Sequence, residues 1–353
     1  MDTVRFGVIG LHNHYHAYPM GEYLKRGIPN AKLVAVADER ERYAREFAAA
    51  YDAEAYYTDY RRLLDRKDID AVIVTSYTSA HAEHVEACAE AGKHVLLDKP
   101  IATTLVDAER IVRAVDRSRV KLLMGYGLHY IPAYLKAKQL IEEGVIGKPV
   151  SAIYSIRVPV SFIHEAPDVP TQGWYTDPIK GGGGGFIDHG VHFTDFFRWM
   201  FSSEAESVVA RIANLTYKDL PVEDYGIAII RMMSGAICTV ESTWHAAEWY
   251  GPTASPDRCS LTGTEGEIEF HYQKSPQIEV AGMRAPYNGR YYFDWKGEER
   301  YEIAYRAMIE DLVRCIRDGA TPSPDARDGY KALEIVLAAY RSHETNQAVY
   351  LPL

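Results

Sequence analysis

The run Val4-Arg5-Phe6-Gly7-Val8-Ile9-Gly10 decides the fold. A short apolar strand that breaks off at Gly7-Val8-Ile9-Gly10 is what a dinucleotide fold needs where its first strand turns into its first helix. That turn calls for one glycine to bend the chain, a second to let backbone approach a pyrophosphate, and a third for close helix–strand packing. Gly10 fills the first role, whereas His12 and Tyr15 stand at the second and third positions. A side chain at position 12 is therefore expected to crowd or contact the phosphates. The next strand, through Val34-Ala35-Val36-Ala37, delivers Asp38 near the distance at which a carboxylate accepts from the adenosine ribose hydroxyls. With Glu39 beside it a 2'-phosphate would be repelled, so NAD is expected over NADP, a preference tempered by Arg40 and Arg42.

Outward from that turn, short apolar runs alternate with amphipathic stretches as far as Met124. The expected strands are Val4-Ile9, Lys32-Ala37, Ala71-Thr75, His94-Leu97 and Lys121-Met124, short enough to be buried parallel strands. Helical stretches lie between them, including Glu39-Ala50, Ala80-Ala91 and Thr104-Asp116. This alternation predicts a doubly wound parallel sheet, an α/β Rossmann domain over residues 1–124. After Gly125 the texture changes, and residues 125–353 are expected to form an α+β domain with a large, mainly antiparallel open sheet. Its expected parts are a helix around Ala133-Glu143, a strand around Pro149-Val158, an irregular aromatic stretch through Trp174 and Tyr175, and a helix near His192-Met200. Consecutive strands follow from Ser207 to Phe270, with turns at Met233-Ser234-Gly235 and Gly263-Thr264-Glu265-Gly266. Helices Tyr301-Asp318 and Asp328-Ser342 and a short strand Val349-Leu351 close the chain, the last helix free to pack back on the first domain.

At 353 residues the chain outgrows one hydrophobic core, and its 47% hydrophobic and 25% charged residues are those of a globular protein. A net charge of -10 without a Lys/Arg cluster argues against a nucleic-acid partner. No apolar run reaches bilayer length and no signal core follows Arg5, so a cytoplasmic protein without membrane insertion is expected. Cys88, Cys238, Cys259 and Cys315 show no metal spacing and read as reduced core residues.

Chemistry is expected at Gly181-Gly182-Gly183-Gly184-Gly185-Phe186-Ile187-Asp188-His189-Gly190-Val191-His192. On a helix, Asp188 and His192 share a face, so the carboxylate can orient a histidine able to take a hydroxyl proton. His189, next to Asp188, is expected to point away from the pair. Alternate histidines at His12, His14 and His16 invite a metal, but no Cys, Asp or Glu accompanies them locally, and no metal is expected.

Taken together, Gly7-to-Gly10, Asp38, Thr75, His81, the stretch Gly92-to-Pro100 and Gly183-to-His192 resemble the Gfo/Idh/MocA oxidoreductases, the family of glucose-fructose oxidoreductase and inositol dehydrogenase. The likeness spans essentially the whole chain and extends to Asp328-Gly329-Tyr330-Lys331-Ala332-Leu333-Glu334. The family's Glu-Lys-Pro appears as Asp98-Lys99-Pro100 and its Asp-x-x-x-His as Asp188 and His192, unmodified. Its frequent Thr-Pro-Asn is replaced by Thr75-Ser76-Tyr77, and its arginine before an aromatic by His129 before Tyr130.

The resemblance implies hydride transfer between NAD and a secondary alcohol of a sugar, inositol or related polyol. It implies that Lys99 hydrogen-bonds the reacting oxygen and that His192 takes the hydroxyl proton, with Asp188 holding a neighbouring hydroxyl or His192 itself. Gly10, His12, Asp38, Thr75, His81 and Lys99 are the expected cofactor contacts, and Tyr126, His129, Trp174, Tyr175 and His245 the expected substrate contacts. Two alternatives stand beside a dehydrogenase: a sugar lyase or glycosidase that uses NAD transiently, and a regulator that senses NAD or sugar without turnover. An open antiparallel sheet makes a homodimer or homotetramer the expected assembly.

Overall fold

The computed structural model describes residues 3–158, 173–245, 258–271, 277–295 and 300–353. They fall into two compact units that interleave along the chain. Among the described residues, 3–127, 173–182 and 300–333 make the first, and the others the second. Each unit draws on more than one stretch, where the sequence suggested a single cut after residue 124.

The first unit is built on six strands, β1 (Val4–Ile9), β2 (Ala31–Ala37), β3 (Ala55–Tyr57), β4 (Ala71–Val74), β5 (His94–Leu97) and β6 (Leu122–Met124). They pair in the order β3-β2-β1-β4-β5-β6, every pair parallel. The continuous apolar run of β4 follows from burial on both faces, since Ala71, Val72, Ile73 and Val74 are all fully buried. Helices His14–Arg26, Glu41–Ala50, His81–Glu90 and Leu105–Ser118 run between the strands. The edge strand β3 and the short helix Tyr60–Leu64 were not expected. Ala55-Tyr56-Tyr57 is three half-exposed residues with no apolar run to mark them. Strand order reverses between β1 and β4, and it is outside the carboxyl ends of such strands that this architecture binds ligands.

The second unit carries a nine-stranded sheet made of β7 (Pro149–Arg157), β8 (Ala205–Ala213), β9 (Tyr225–Met232), β10 (Ile237–Thr243), β11 (Arg258–Gly263), β12 (Gly266–His271), β13 (Ile278–Gly282), β14 (Gly289–Phe293) and β15 (Val349–Tyr350). Its order is β14-β13-β12-β11-β7-β10-β9-β8-β15. Every pair is antiparallel except β7 with β10. Helix Gly185–Phe201 covers one face with Phe186, Phe193, Phe196 and Phe197, all buried, and Tyr154 of β7 stacks on Phe193 at 3.8 Å. Burying one such ring contributes about 1.5–3 kcal/mol. The helix begins inside the glycine run, not near His192 as the sequence suggested. On the other face Ile153, Ile229 and Val209 are exposed, and the register sets Ile153, Thr239, Ile229 and Val209 in one row across four strands. Among the described residues no helix is long and apolar enough to cross a membrane.

Candidate active site

In the first unit the turn after β1 is locked by backbone. Gly10 has φ +78°, and a Cβ there would lie 2.6 Å from the Ser76 Cα, so only glycine fits. Its N–H donates to the Ala37 carbonyl at 2.8 Å and its carbonyl accepts from Thr75 Oγ1 at 2.6 Å, which ties together the ends of β1, β2 and β4. Thr75 is fully buried and its hydroxyl is spent on that bond. His81 is also fully buried, its Nδ1 2.9 Å from the Pro100 carbonyl and its Nε2 3.0 Å from that of Ser76. Burial holds its imidazole below the usual value, and a neutral ring donates to one of the two carbonyls. The side chains of Thr75 and His81 are thus hydrogen-bonded to backbone carbonyls beside the turn.

Asp38 carries protein donors on both of its carboxylate oxygens. Its Oδ2 accepts from Leu11 N and Arg40 Nη2, both at 2.7 Å, and its Oδ1 from Arg40 N at 2.9 Å and Arg40 Nε at 2.8 Å. A carboxylate offers about four lone-pair sites, and here four donors fill them. Glu39, exposed beside it, pairs with His12 instead. His12 Nε2 lies 3.0 Å from Glu39 Oε1, and this hydrogen bond holds the Glu39 carboxyl down at about 2. The His12 ring also meets Tyr77 edge-on at 4.9 Å.

The three histidines thus take separate partners. His14 packs on Tyr15 at 3.8 Å, and burial followed by the neighbouring His16 pulls it down to about 4. His16 Nδ1 makes a very short contact with Asp98 Oδ1. Asp98 Oδ2 accepts from Asn13 Nδ2 at 2.5 Å, and Oδ1 also from Lys99 N at 2.7 Å. Burial pushes the Asp98 carboxyl up, but the adjoining His16 and Lys99 more than offset it, and the net direction is down. Lys99, at the end of β5, is itself buried.

Aromatic groups close on the same loop. Trp174 Nε1 donates to the His12 carbonyl at 3.0 Å, and Tyr175 stacks on Trp174 at 3.9 Å. Tyr126, just after β6, is buried. The unit suits a dinucleotide on three counts: the glycine-only turn, the strand-order reversal beside it, and three buried polar atoms there that make no hydrogen bond, His12 Nδ1, Asn13 Oδ1 and Thr78 Oγ1.

In the second unit the key helix is anchored at its start by a residue the sequence did not single out. Glu223 Oε1 accepts from Gly184 N at 2.8 Å, Phe186 N at 3.0 Å and Tyr340 Oη at 2.6 Å, satisfying N–H groups that a helix start leaves open. Burial pushes the Glu223 carboxyl above the usual range. A Cβ at position 184 would lie 2.1 Å from the Glu223 carbonyl oxygen, which is why the run before the helix is glycine.

One turn apart on this helix stand Asp188 and His192, both buried. Trp244 Nε1 donates to Asp188 Oδ2 at 3.4 Å, and His189 Nδ1 lies 3.2 Å from the same oxygen. His189 thus turns toward Asp188, against expectation. One further turn along, Asp195 Oδ2 meets His129 Nε2 at 2.6 Å, with the His129 ring stacked on Trp199 at 4.2 Å. His129 is therefore oriented by Asp195, a partner 66 positions away that no local pattern announces. His245 follows the end of β10, exposed, its N–H on Thr243 Oγ1 at 3.0 Å. The stretch 246–250 that follows it lies outside the described residues.

Residues 4–126 match the family model of the Gfo/Idh/MocA oxidoreductases with an NAD-binding Rossmann fold, and residues 134–269 match the model of that family's C-terminal domain. The chain is 29% identical to a myo-inositol 2-dehydrogenase of Thermotoga maritima over 99% of its own length and 98% of that protein's. It is 30% identical to an inositol 2-dehydrogenase of Rhizobium meliloti, over 96% and 97% of the two chains. Among solved structures, a levoglucosan dehydrogenase in complex with NADH superposes with a TM-score of 0.88 at 24% identity over 99% of both chains, a likeness of fold. With both domain models matched and relatives aligned end to end, the chain belongs to the Gfo/Idh/MocA family and is an NAD-dependent oxidoreductase.

Proposed function

We propose that the chain transfers hydride between NAD and a secondary alcohol or ketone of an inositol, a sugar or a related polyol. The inositol dehydrogenases aligned along its length suggest the substrate class. The observation that carries the reading is the buried pair Asp188 and His192, one turn apart on a helix whose start is fixed by Glu223. When bound, the nicotinamide ring of NAD supplies the hydride acceptor or donor. His192 takes the proton of the alcohol during oxidation and returns it during reduction. Asp188 holds a neighbouring hydroxyl or His192 itself. Lys99 Nζ donates to the reacting oxygen, a bond that strengthens as negative charge develops there.

Gly10 and His12 belong to the cofactor turn, with Asp38 acting through Arg40 beside the ribose. Tyr126, His129, Trp174, Tyr175 and His245 are the proposed substrate contacts, suited by aromatic faces and ring nitrogens to a hydroxylated ring. We place the protein in the cytoplasm, where its four buried, free cysteines suit a reducing medium. The exposed row through Ile153, Ile229 and Val209 is proposed to be covered by another copy, giving a homodimer or homotetramer that sedimentation would detect.

A panel of inositols, aldoses and anhydro-sugars, assayed with NAD at the nicotinamide absorbance, tests the reaction. Steady NADH formation with one of them is expected. Tight binding of NAD and a polyol with no turnover in either direction would overturn the reading in favour of a sensor.

A further inference from the structure

The histidine-bearing loop is tied to the family lysine through one buried carboxylate. Asp98 is 1% exposed, and its three donors come from two sources: Asn13 Nδ2 and His16 Nδ1 from the start of helix His14–Arg26, and the backbone N–H of Lys99. Asn13 stands at the N-cap of that helix, where an asparagine side chain ordinarily accepts from the helix backbone. Here it makes no such bond and reaches Asp98 instead. No acidic residue occupies the first turn of the helix, so the Asp98 carboxylate is the anion set against its positive end. On its far side the His16 ring lies 5.3 Å from that of Tyr305, on helix Arg300–Asp318. The same loop carries His12, whose carbonyl holds Trp174.

We propose that His16, assisted by Asn13, is a positioning residue for Lys99. By fixing the Asp98 carboxylate, it fixes the peptide N–H from which the lysine departs, so the cofactor turn and Lys99 are set as one piece. This rests on the role proposed above for Lys99.

Lys93 supplies an internal control, because it is buried at the other end of the same strand with Nζ on the carbonyls of Ile69 at 2.7 Å and Arg66 at 2.9 Å. Reductive methylation of the unliganded protein, followed residue by residue by mass spectrometry, compares the two lysines. In His16→Leu, Lys99 is expected to label about tenfold faster while Lys93 is unchanged, the scale of losing one hydrogen bond to a charged group. In His16→Asn, whose amide can place a donor where Nδ1 was, labelling is expected to stay near that of the unaltered protein. Asn13→Ala, which opens less of the interior, is expected to move Lys99 in the same direction should His16→Leu fail to fold. On a polyol that the protein turns over, His16→Leu is expected to lower kcat about tenfold with NADH affinity within about threefold. Equal labelling of Lys99 in all variants, or parallel acceleration of Lys93 and Lys99, overturns the inference. Absence of turnover on every polyol sinks the reaction proposed above and leaves the labelling result to decide this one.

Discussion

Arg40 lies fork to fork on Asp38, Nε to Oδ1 at 2.8 Å and Nη2 to Oδ2 at 2.7 Å. A guanidinium held this way is unavailable to a 2'-phosphate, and the exposed Glu39 beside it repels one. Replacing Asp38 with Ser is expected to release Arg40 and shift the ratio of NAD to NADP affinity toward NADP by roughly tenfold, about 1.4 kcal/mol. The double variant Asp38→Ser, Arg40→Ala should lose that gain. Calorimetric titration with both cofactors checks it, and tighter NADP binding by the unaltered protein would contradict it.

Metal is expected to play no part in turnover. Ligand atoms of His12, Asp38 and Glu39 lie within 4.8 Å of one another, which a divalent ion could exploit. Arg40 already provides the cation at Asp38, and a metal would have to displace it or sit against it. Activity should survive prolonged chelation, and zinc or manganese should not raise the melting temperature. A stoichiometric metal in elemental analysis, lost together with activity in His12→Ala, would count against this.

What the sequence made legible, and what it hid, follows the reach of the interactions. The strands of the first sheet were visible because buried parallel strands are continuous apolar runs, and Asp98-Lys99-Pro100 and Asp188 with His192 because their spacing is local. The lock of Arg40 on Asp38 was hidden although the two are neighbours, since nothing in composition says that a loop arginine folds back. His16 with Asp98 and His129 with Asp195 join residues 82 and 66 positions apart, and only the fold brings them together. The early start of helix Gly185–Phe201 was hidden for the same reason: five glycines have poor helix propensity, and it is Glu223, 39 positions beyond Gly184, that satisfies the N–H groups there.

Glu223 gives a stability test with a defined sign. Its carboxyl is raised by burial, so its contribution is fully present below the ordinary glutamate range and is lost as pH rises through the folded value. Glu223→Gln keeps an oxygen for Gly184 N, Phe186 N and Tyr340 Oη and removes the ionisation. The variant is expected to flatten the fall in melting temperature as pH is raised above about 4.3. Glu223→Ala should instead cost roughly 2–4 kcal/mol at low pH, because the buried donors lose their acceptor, and less as pH rises. Identical pH profiles for the unaltered protein and Glu223→Gln would show that the Glu223 carboxyl titrates alike in the folded and unfolded chain, and is not raised.

The acid–base assignment is tested last because the enzyme reading depends on it. If His192 accepts the alcohol proton, oxidation should rise with pH through an apparent value near the histidine reference of about 6.5, moved by its surroundings. His192→Ala is expected to erase that limb and lower turnover by roughly a hundredfold or more, with NAD affinity retained. Lys99→Met should spare cofactor binding yet lose turnover on a similar scale, because its bond to the reacting oxygen strengthens only as charge develops there. Asp188→Asn separates two roles: if the carboxylate tunes His192, the pH limb should shift toward lower pH, since an imidazolium loses its neighbouring anion. If Asp188 holds a substrate hydroxyl instead, KM should rise while the limb stays in place. Near-normal turnover in both His192→Ala and Lys99→Met, measured on a polyol that the unaltered protein oxidises, would remove these residues from the chemistry.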